Sequence, residues 1–187
     1  MICKVQTGQM LGFVTSPQPT QAQLTELAER KRCLLIEHID ALREAIRIVR
    51  SRHPFQIDAM VVMPDHLHAI FTLPPNDSDY PTRWMLIKAG FSRQIPKTER
   101  INASRRSKGE RGIWQRRFWE HTIQGEDDFR HHIDYIHYNP VKHGYVTRPA
   151  DWLHSSIHKY INAGTLPAEW GTASPENDKR FGERRLG

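Results

Sequence analysis

The chain is expected to adopt an α+β fold, an antiparallel sheet with helices packed on it. Three observations predict it. Residues 57–63 and 66–73 are β-prone runs on either side of Pro64-Asp65, the pattern of a hairpin. Apolar residues recur at helical spacing both before and after that hairpin. A third β-prone run and a third helical pattern follow, completing the order helix, strand, strand, helix, strand, helix.

Each element has its own signal. Residues 1–22 show no clear period and contain Pro17 and Pro19, and residues 23–36 read as helical or mixed. From Ile39 to Arg52, Ile39, Leu42, Ile46 and Val49 form one helical stripe, ended by His53-Pro54. The two hairpin strands come next and are closed by Pro74-Pro75-Asn76-Asp77. Thr82 can cap a helix that runs to about Arg93, stops before Pro96 and is anchored by Trp84, Ile87 and Phe91. Residues 113–119, rich in aromatics, read as a strand; alternation puts Trp114, Arg116 and Phe118 on one face and Gln115, Arg117 and Trp119 on the other. One of those aromatic sets belongs to the core. Glu126-Asp127-Asp128 opens a helix, where acidic side chains complement the dipole, and Asn139-Pro140 is expected to break it after Tyr138.

With 187 residues and 38% hydrophobic content, the chain has material for one domain with extensions. No apolar run approaches the length needed to span a bilayer, and the start lacks the apolar segment of a signal peptide. Cys3 and Cys33, the only cysteines, have neither metal-site spacing nor a disulfide framework, so a reducing cytoplasm is the expected location. The formal charge of +6 is concentrated in one stretch. Between Lys97 and Arg117, eight basic residues (Lys97, Arg100, Arg105, Arg106, Lys108, Arg111, Arg116 and Arg117) are opposed only by Glu99 and Glu110. Such a segment is the electrostatic footprint of a phosphate-backbone binder, with a merely solvated loop as the plainer alternative.

The chemistry concentrates in two segments. His66 and His68 are two apart on a strand, so both imidazoles project to one face and could hold one divalent metal. On the last helix, Phe129, Ile133 and Ile136 define the buried stripe, and Tyr135 lies roughly 120° from its centre at about 100° per residue, facing a groove or solvent. His131 and Asn139, four residues before and after Tyr135, share its face. Asn139 offers a carbonyl oxygen, a reasonable third ligand for a hard cation such as Mg²⁺ or Mn²⁺. A tyrosine hydroxyl, with a reference pKa of about 10, needs a base, a metal or a positive field before it acts as a nucleophile. Each element alone has an ordinary packing explanation. Metal, tyrosine and basic surface together point to an enzyme that cuts nucleic acid. Asp65 either orients a histidine or is a plain turn residue; His121 reads as a strand-end histidine before a residue near the site, and His131 and His132 could tune Tyr135 or contact phosphate, with surface positions explaining them equally well.

In Met63-Pro64-Asp65-His66-Leu67-His68, and in Tyr135-Ile136-His137-Tyr138-Asn139-Pro140-Val141-Lys142-His143-Gly144, the sequence resembles the REP-associated tyrosine transposases, within the HUH single-tyrosine transposases. Tyr80-Pro81-Thr82-Arg83-Trp84, Lys88-Ala89-Gly90-Phe91-Ser92, Trp114-Gln115-Arg116-Arg117-Phe118-Trp119-Glu120-His121, Asp151-Trp152 and Ser155-Ser156 are similar to further family segments, over about residues 36–183. The resemblance implies a ferredoxin-like sheet carrying His66 and His68 on one strand. It implies Mg²⁺ or Mn²⁺ held by His66, His68 and Asn139, and Tyr135 as the nucleophile that cuts single-stranded or hairpin DNA through a 5′-phosphotyrosine link and then transfers the strand. Arg105, Arg106, Lys108, Arg111, Arg116 and Arg117 are the expected DNA contacts, with a monomer and a homodimer both open. The expected division is a divergent N-terminal segment (1–35), a catalytic domain (36–162) that includes the basic loop 97–117, and a flexible tail (163–187). Residues 1–32 depart from the family pattern, with Leu11-Gly12-Phe13-Val14-Thr15 as the nearest candidate for a first strand. That departure keeps open a catalytically inactive or domesticated relative that binds structured single-stranded DNA, and a replication or conjugation nickase uses similar residues.

Overall fold

The structure, a computed structural model, describes residues 21–27, 33–97, 103–109, 111–115 and 119–174. Four strands form one antiparallel sheet in the order β2-β3-β1-β4: β1 (Gln21–Leu27), β2 (Gln56–Val62), β3 (His66–Thr72) and β4 (Trp119–Thr122). With α2 (Ile39–Arg52) between β1 and β2, and α3 (Tyr80–Gln94) between β3 and β4, this is the ferredoxin-like arrangement. No helix among the described residues is long and apolar enough to cross a membrane.

Of the stretch 23–36, expected to be helical or mixed, the start is strand and the end belongs to α1 (Leu34–Glu37). Gln21–Leu27 is a central strand, paired with β3 from Gln21↔Thr72 to Leu27↔His66 and with β4 from Ala22↔Thr122 to Thr25↔Trp119. Its Gln, Glu and Leu residues favour helix locally, but two flanking strands satisfy its backbone, and that non-local pairing overrides propensity. The first strand is therefore present, at 21–27; the candidate at 11–15 lies outside the described residues.

Alternation along β3 divides the molecule into layers. Leu67, Ala69 and Phe71 are fully buried on the face covered by α2 and α3, where they meet Leu42, Ala45 and Val49 of α2 and Trp84, Ile87 and Phe91 of α3. Gly90 permits the close approach of the two helices, since a Cβ there would come within 3.2 Å of the Ala45 Cβ. Asp79, rather than Thr82, caps α3: its carboxylate accepts from the Thr82 N–H at 3.2 Å. The opposite face of the sheet presents Ala59, Val61, Met63 and Ile70, which pack against Ile133 and Ile136 of α5 (Glu126–Lys142).

Two further expectations need correction. Among the described residues, the strand covers Trp119–Thr122 and does not include Ile113. Ile113 is buried against the α2–α3 core, and the Trp114 ring meets Phe91 at 5.4 Å while its Nε1 donates to Ser92 Oγ at 3.0 Å. Nor does α5 end at Asn139-Pro140; it continues to Lys142 with Pro140 inside. An interior proline costs a helix about 3 kcal/mol. Burial on this face compensates, because Tyr138 and Val141 pack with Val146 and Trp170. Trp170 belongs to the segment read as a tail, whose first part thus folds back onto α5, and the Ala173 N–H donates to Thr147 O at 2.8 Å.

The outer edge of β2 is covered by residues 154–156. Val62 N–H donates to His154 O at 2.9 Å, Ser156 N–H to Met60 O at 2.8 Å, and Met60 N–H to Ser156 Oγ at 2.8 Å. Fully buried His137 of α5 meets the same Ser156 hydroxyl through Nε2 at 2.9 Å. Burial, reinforced by the charge of His158, pushes the His137 imidazole down to about 3 from its ordinary 6.5. Below pH 6.5 the unfolded chain therefore binds a proton that the folded chain does not. This contribution to stability is complete above pH 6.5 and shrinks by up to about 1.4 kcal/mol per pH unit as pH falls toward 3. Denaturant titrations across pH 4–7 should show a shallower slope for His137→Gln than for the natural chain; equal slopes would contradict the assignment.

Candidate active site

Every residue of β3 that faces α5 has a counterpart there. His66, His68 and Ile70 lie on that face of the sheet, and Ile70 packs with Ile133 and Ile136. The two histidines stand side by side at 5.2 Å between ring centroids and nearly perpendicular. Tyr135, half-buried on α5, sets its ring edge-on to His68 at 5.3 Å. One turn further along α5, the Asn139 Oδ1 lies 3.4 Å from His66 Nε2. The structure thus brings together His66, His68, Tyr135 and Asn139, four residues drawn from two segments about seventy positions apart in sequence.

Their environment is dry. His66, His68 and Asn139 are 7%, 5% and 0% exposed. Burial, then the positive charges of His66, His143 and Lys142, holds the His68 imidazole well below the usual histidine range. A neutral ring keeps a lone pair available for a cation. Asp65 contacts His66 Nδ1 at 2.7 Å, a position from which its carboxylate can orient this ring. With the proton held at Nδ1, Nε2 presents a lone pair toward the Asn139 oxygen, so two acceptors face each other. The Asn139 Nδ2, also buried, has no hydrogen-bond partner. A cation between the acceptors relieves the first conflict; without one, a half-turn of the amide would let Nδ2 donate to His66. This donor set of two imidazoles and an amide oxygen fits a small divalent ion.

Two residues that sequence reasoning had not assigned complete the neighbourhood. His143 sits 5.1 Å from His66, and Lys142 places its Nζ 4.8 Å from the centre of the Tyr135 ring. Burial, then His66 and Lys142, lowers the His143 imidazole, with Asp65 pulling the other way. Helical spacing held the clue: His143 is four residues after Asn139 and Lys142 seven after Tyr135, both on one face once α5 is allowed to pass through Pro140.

The basic segment is placed apart from these residues. Arg105 and Arg106 lie on α4 (Ala103–Ser107), where Arg106 and the following Lys108 are exposed and Arg105 donates to Gly112 O at 3.2 Å. Arg111 donates to the carbonyls of Ser92, Ile95 (3.1 Å) and Pro96 (2.7 Å), closing the C-terminal end of α3. Arg116 and Arg117 lie outside the described residues. Elsewhere, the reading of His132 as a surface residue is overturned. It is buried, and with His121 and Asp128 it forms the one group among the described residues whose histidine and carboxylate atoms lie close enough to hold a metal.

Comparisons with known proteins agree with this picture. The sequence pattern of the family described as "Transposase IS200 like" matches residues 24–139. A candidate REP-associated tyrosine transposase of Haemophilus influenzae is 43% identical over 146 residues, 78% of this chain and 83% of that protein. The REP-associated tyrosine transposase of Escherichia coli is 41% identical over 158 residues, 84% of this chain and 87% of that one. A solved structure of a REP-associated tyrosine transposase bound to a REP hairpin superposes with a TM-score of 0.70 at 36% identity, covering 97% of this chain and all of that one.

In an NMR pH titration, the His68 ring should keep neutral shifts through pH 6, because burial and three positive neighbours oppose its protonation. A midpoint at or above 6.5 would show that the pocket is wetter than its packing implies.

Proposed function

This chain belongs to the IS200-like transposase family, among its REP-associated tyrosine transposases, and on that premise we propose that it is a metal-dependent single-stranded DNA endonuclease and strand transferase acting at DNA hairpins. The observation that carries this reading is the convergence of His66, His68 and Asn139 beside Tyr135 on one face of the sheet. Mg²⁺ or Mn²⁺, held by those three, would neutralise charge that builds on the scissile phosphate.

The protein's own side chains account for the rest. Tyr135 Oη attacks phosphorus, the bond from phosphorus to the 3′ oxygen breaks, and a 5′-phosphotyrosine link and a free 3′-OH result. The tyrosine proton leaves its oxygen as the bond forms, and the departing 3′ oxygen takes one up. One phosphodiester is exchanged for another, so a later 3′-OH can attack the phosphotyrosine and restore the tyrosine without a nucleotide cofactor. Lys142, whose Nζ lies 4.8 Å over the Tyr135 ring, adds positive charge beside the phosphate as it reacts. Asp65 holds His66 in the tautomer that leaves Nε2 free. The solvent-facing positions of Arg106 and Lys108 suit phosphate contacts along the hairpin, with Arg105 and Arg111 fixing the segment that carries them. Arg116 and Arg117 are proposed to add to the same contacts.

Incubated with labelled hairpin DNA and Mn²⁺, the protein should form an adduct that survives denaturation. Tyr135→Phe or chelation of the metal should abolish it, whereas binding without an adduct in the natural chain would favour a domesticated DNA-binding protein. Asp65→Asn should weaken Mn²⁺ binding by roughly 10–100-fold, the usual effect of losing an outer-shell partner. Reversing charge at Arg106 and Lys108 should weaken hairpin binding and flatten the dependence of log K on log salt by roughly 1.4–1.8, for two lost phosphate contacts. An unchanged slope would remove these residues from the interface.

A further inference from the structure

A second cluster of ligating side chains lies where β4 hands over to α5. His121 leaves β4, Gly125 turns the chain with φ 101°, and Asp128 and His132 follow at i, i+4 on α5. One residue serves both imidazoles: Asp128 Oδ2 is 2.7 Å from His121 Nε2, Oδ1 is 2.9 Å from His132 Nδ1, and the Asp128 backbone carbonyl is 2.8 Å from the same Nδ1. The imidazole rings lie stacked, 4.7 Å apart and 16° from parallel. Candidate ligand atoms of all three residues fall within 4.8 Å of one another. The Gln124 N–H fixes Asp128 Oδ2 at 2.7 Å, so the carboxylate is held in place from outside the trio. His132 is buried, while His121 and Asp128 keep about a quarter of their side-chain surface open.

We propose that His121, Asp128 and His132 form a second metal site, of the Zn²⁺ or Co²⁺ class, that clasps β4 to the first turns of the tyrosine helix. This site is separate from the one at His66 and His68, and the inference does not depend on the DNA-cutting reading. Two imidazole nitrogens and one carboxylate oxygen, with a fourth position left for water, suit a tetrahedral borderline ion. Tetrahedral bonds of about 2.0–2.1 Å separate ligand atoms by roughly 3.3 Å, so each imidazole–carboxylate pair opens by about half an ångström when a metal takes the place of the hydrogen bonds, the one from His132 Nδ1 to the Asp128 carbonyl included. Each neutral imidazole then carries its proton on the nitrogen facing away. His132 is three residues before Tyr135, so an ion here would pin the part of α5 that presents the nucleophile.

The test is Co²⁺ titration of the tag-free full chain carrying His66→Ala and His68→Ala, which removes the other imidazole pair. The expected result is uptake of one equivalent, with the intense visible absorption of tetrahedral Co²⁺ and a raised Tm. Adding His121→Gln, or separately His132→Asn, should abolish both signals; His121 leaves a strand end, so its replacement keeps the test usable if the His132 variant folds poorly. No uptake, the weak spectrum of an octahedral ion, or uptake unchanged by His121→Gln would each overturn the proposal.

Discussion

A strand covered on both faces must send alternate side chains into different layers, and β3 is such a strand. Leu67, Ala69 and Phe71 enter the core beneath α2 and α3, while His66, His68 and Ile70 turn toward α5. A slip of one residue would exchange the two sets, placing imidazoles in the larger core and phenylalanine against Tyr135. The register is guarded on both sides, by β1 from Gln21↔Thr72 to Leu27↔His66 and by β2 from Gln56↔Thr72 to Val62↔Leu67. Thus the apolar packing of one face determines where the polar chemistry of the other stands. Ile70 against Ile133 and Ile136 then sets the approach of α5, and with it Tyr135 and Asn139.

Burying His66, His68 and Asn139 has a thermodynamic cost, since unpaired polar groups in a dry layer are destabilising. Asp65 offsets part of it at His66. Burial, and after it the positive charges nearby, keeps His68 neutral. The same features that make the pocket poor for protons make it good for a cation, because a lone pair that declines a proton remains available to a metal. Stability and readiness for binding therefore pull against each other here, as at other functional sites.

Much of this arrangement was legible in the sequence, and what was not has identifiable causes. Helix α2, the anchors Trp84, Ile87 and Phe91, the hairpin around Pro64-Asp65 and the shared face of Tyr135 and Asn139 all follow from short-range periodicity. Strand β1 did not, because its signal lies in partners placed roughly fifty and one hundred positions later in the chain. Pro140 reads locally as a stop, yet the burial of Tyr138 and Val141 carries α5 past it. That extra turn is what hides His143 and Lys142 from a reading that ends the helix at Tyr138. His132 looked like a surface residue because its partner His121 belongs to another element. Residue spacing reveals faces of one element; it does not reveal which faces meet.

The strip at 154–156 that lies along β2 has a consequence for behaviour in a crowded solution. Exposed strand edges are templates on which a second chain can build. Here the hydrogen bonds to Met60 and Val62, the Trp152 indole on Val62 O and the Tyr160 hydroxyl on Asp58 O occupy that side of the sheet. Among the described strands, the other outermost one is β4, only four residues long. Ordered aggregation through added strands is thereby discouraged at both margins of the described sheet.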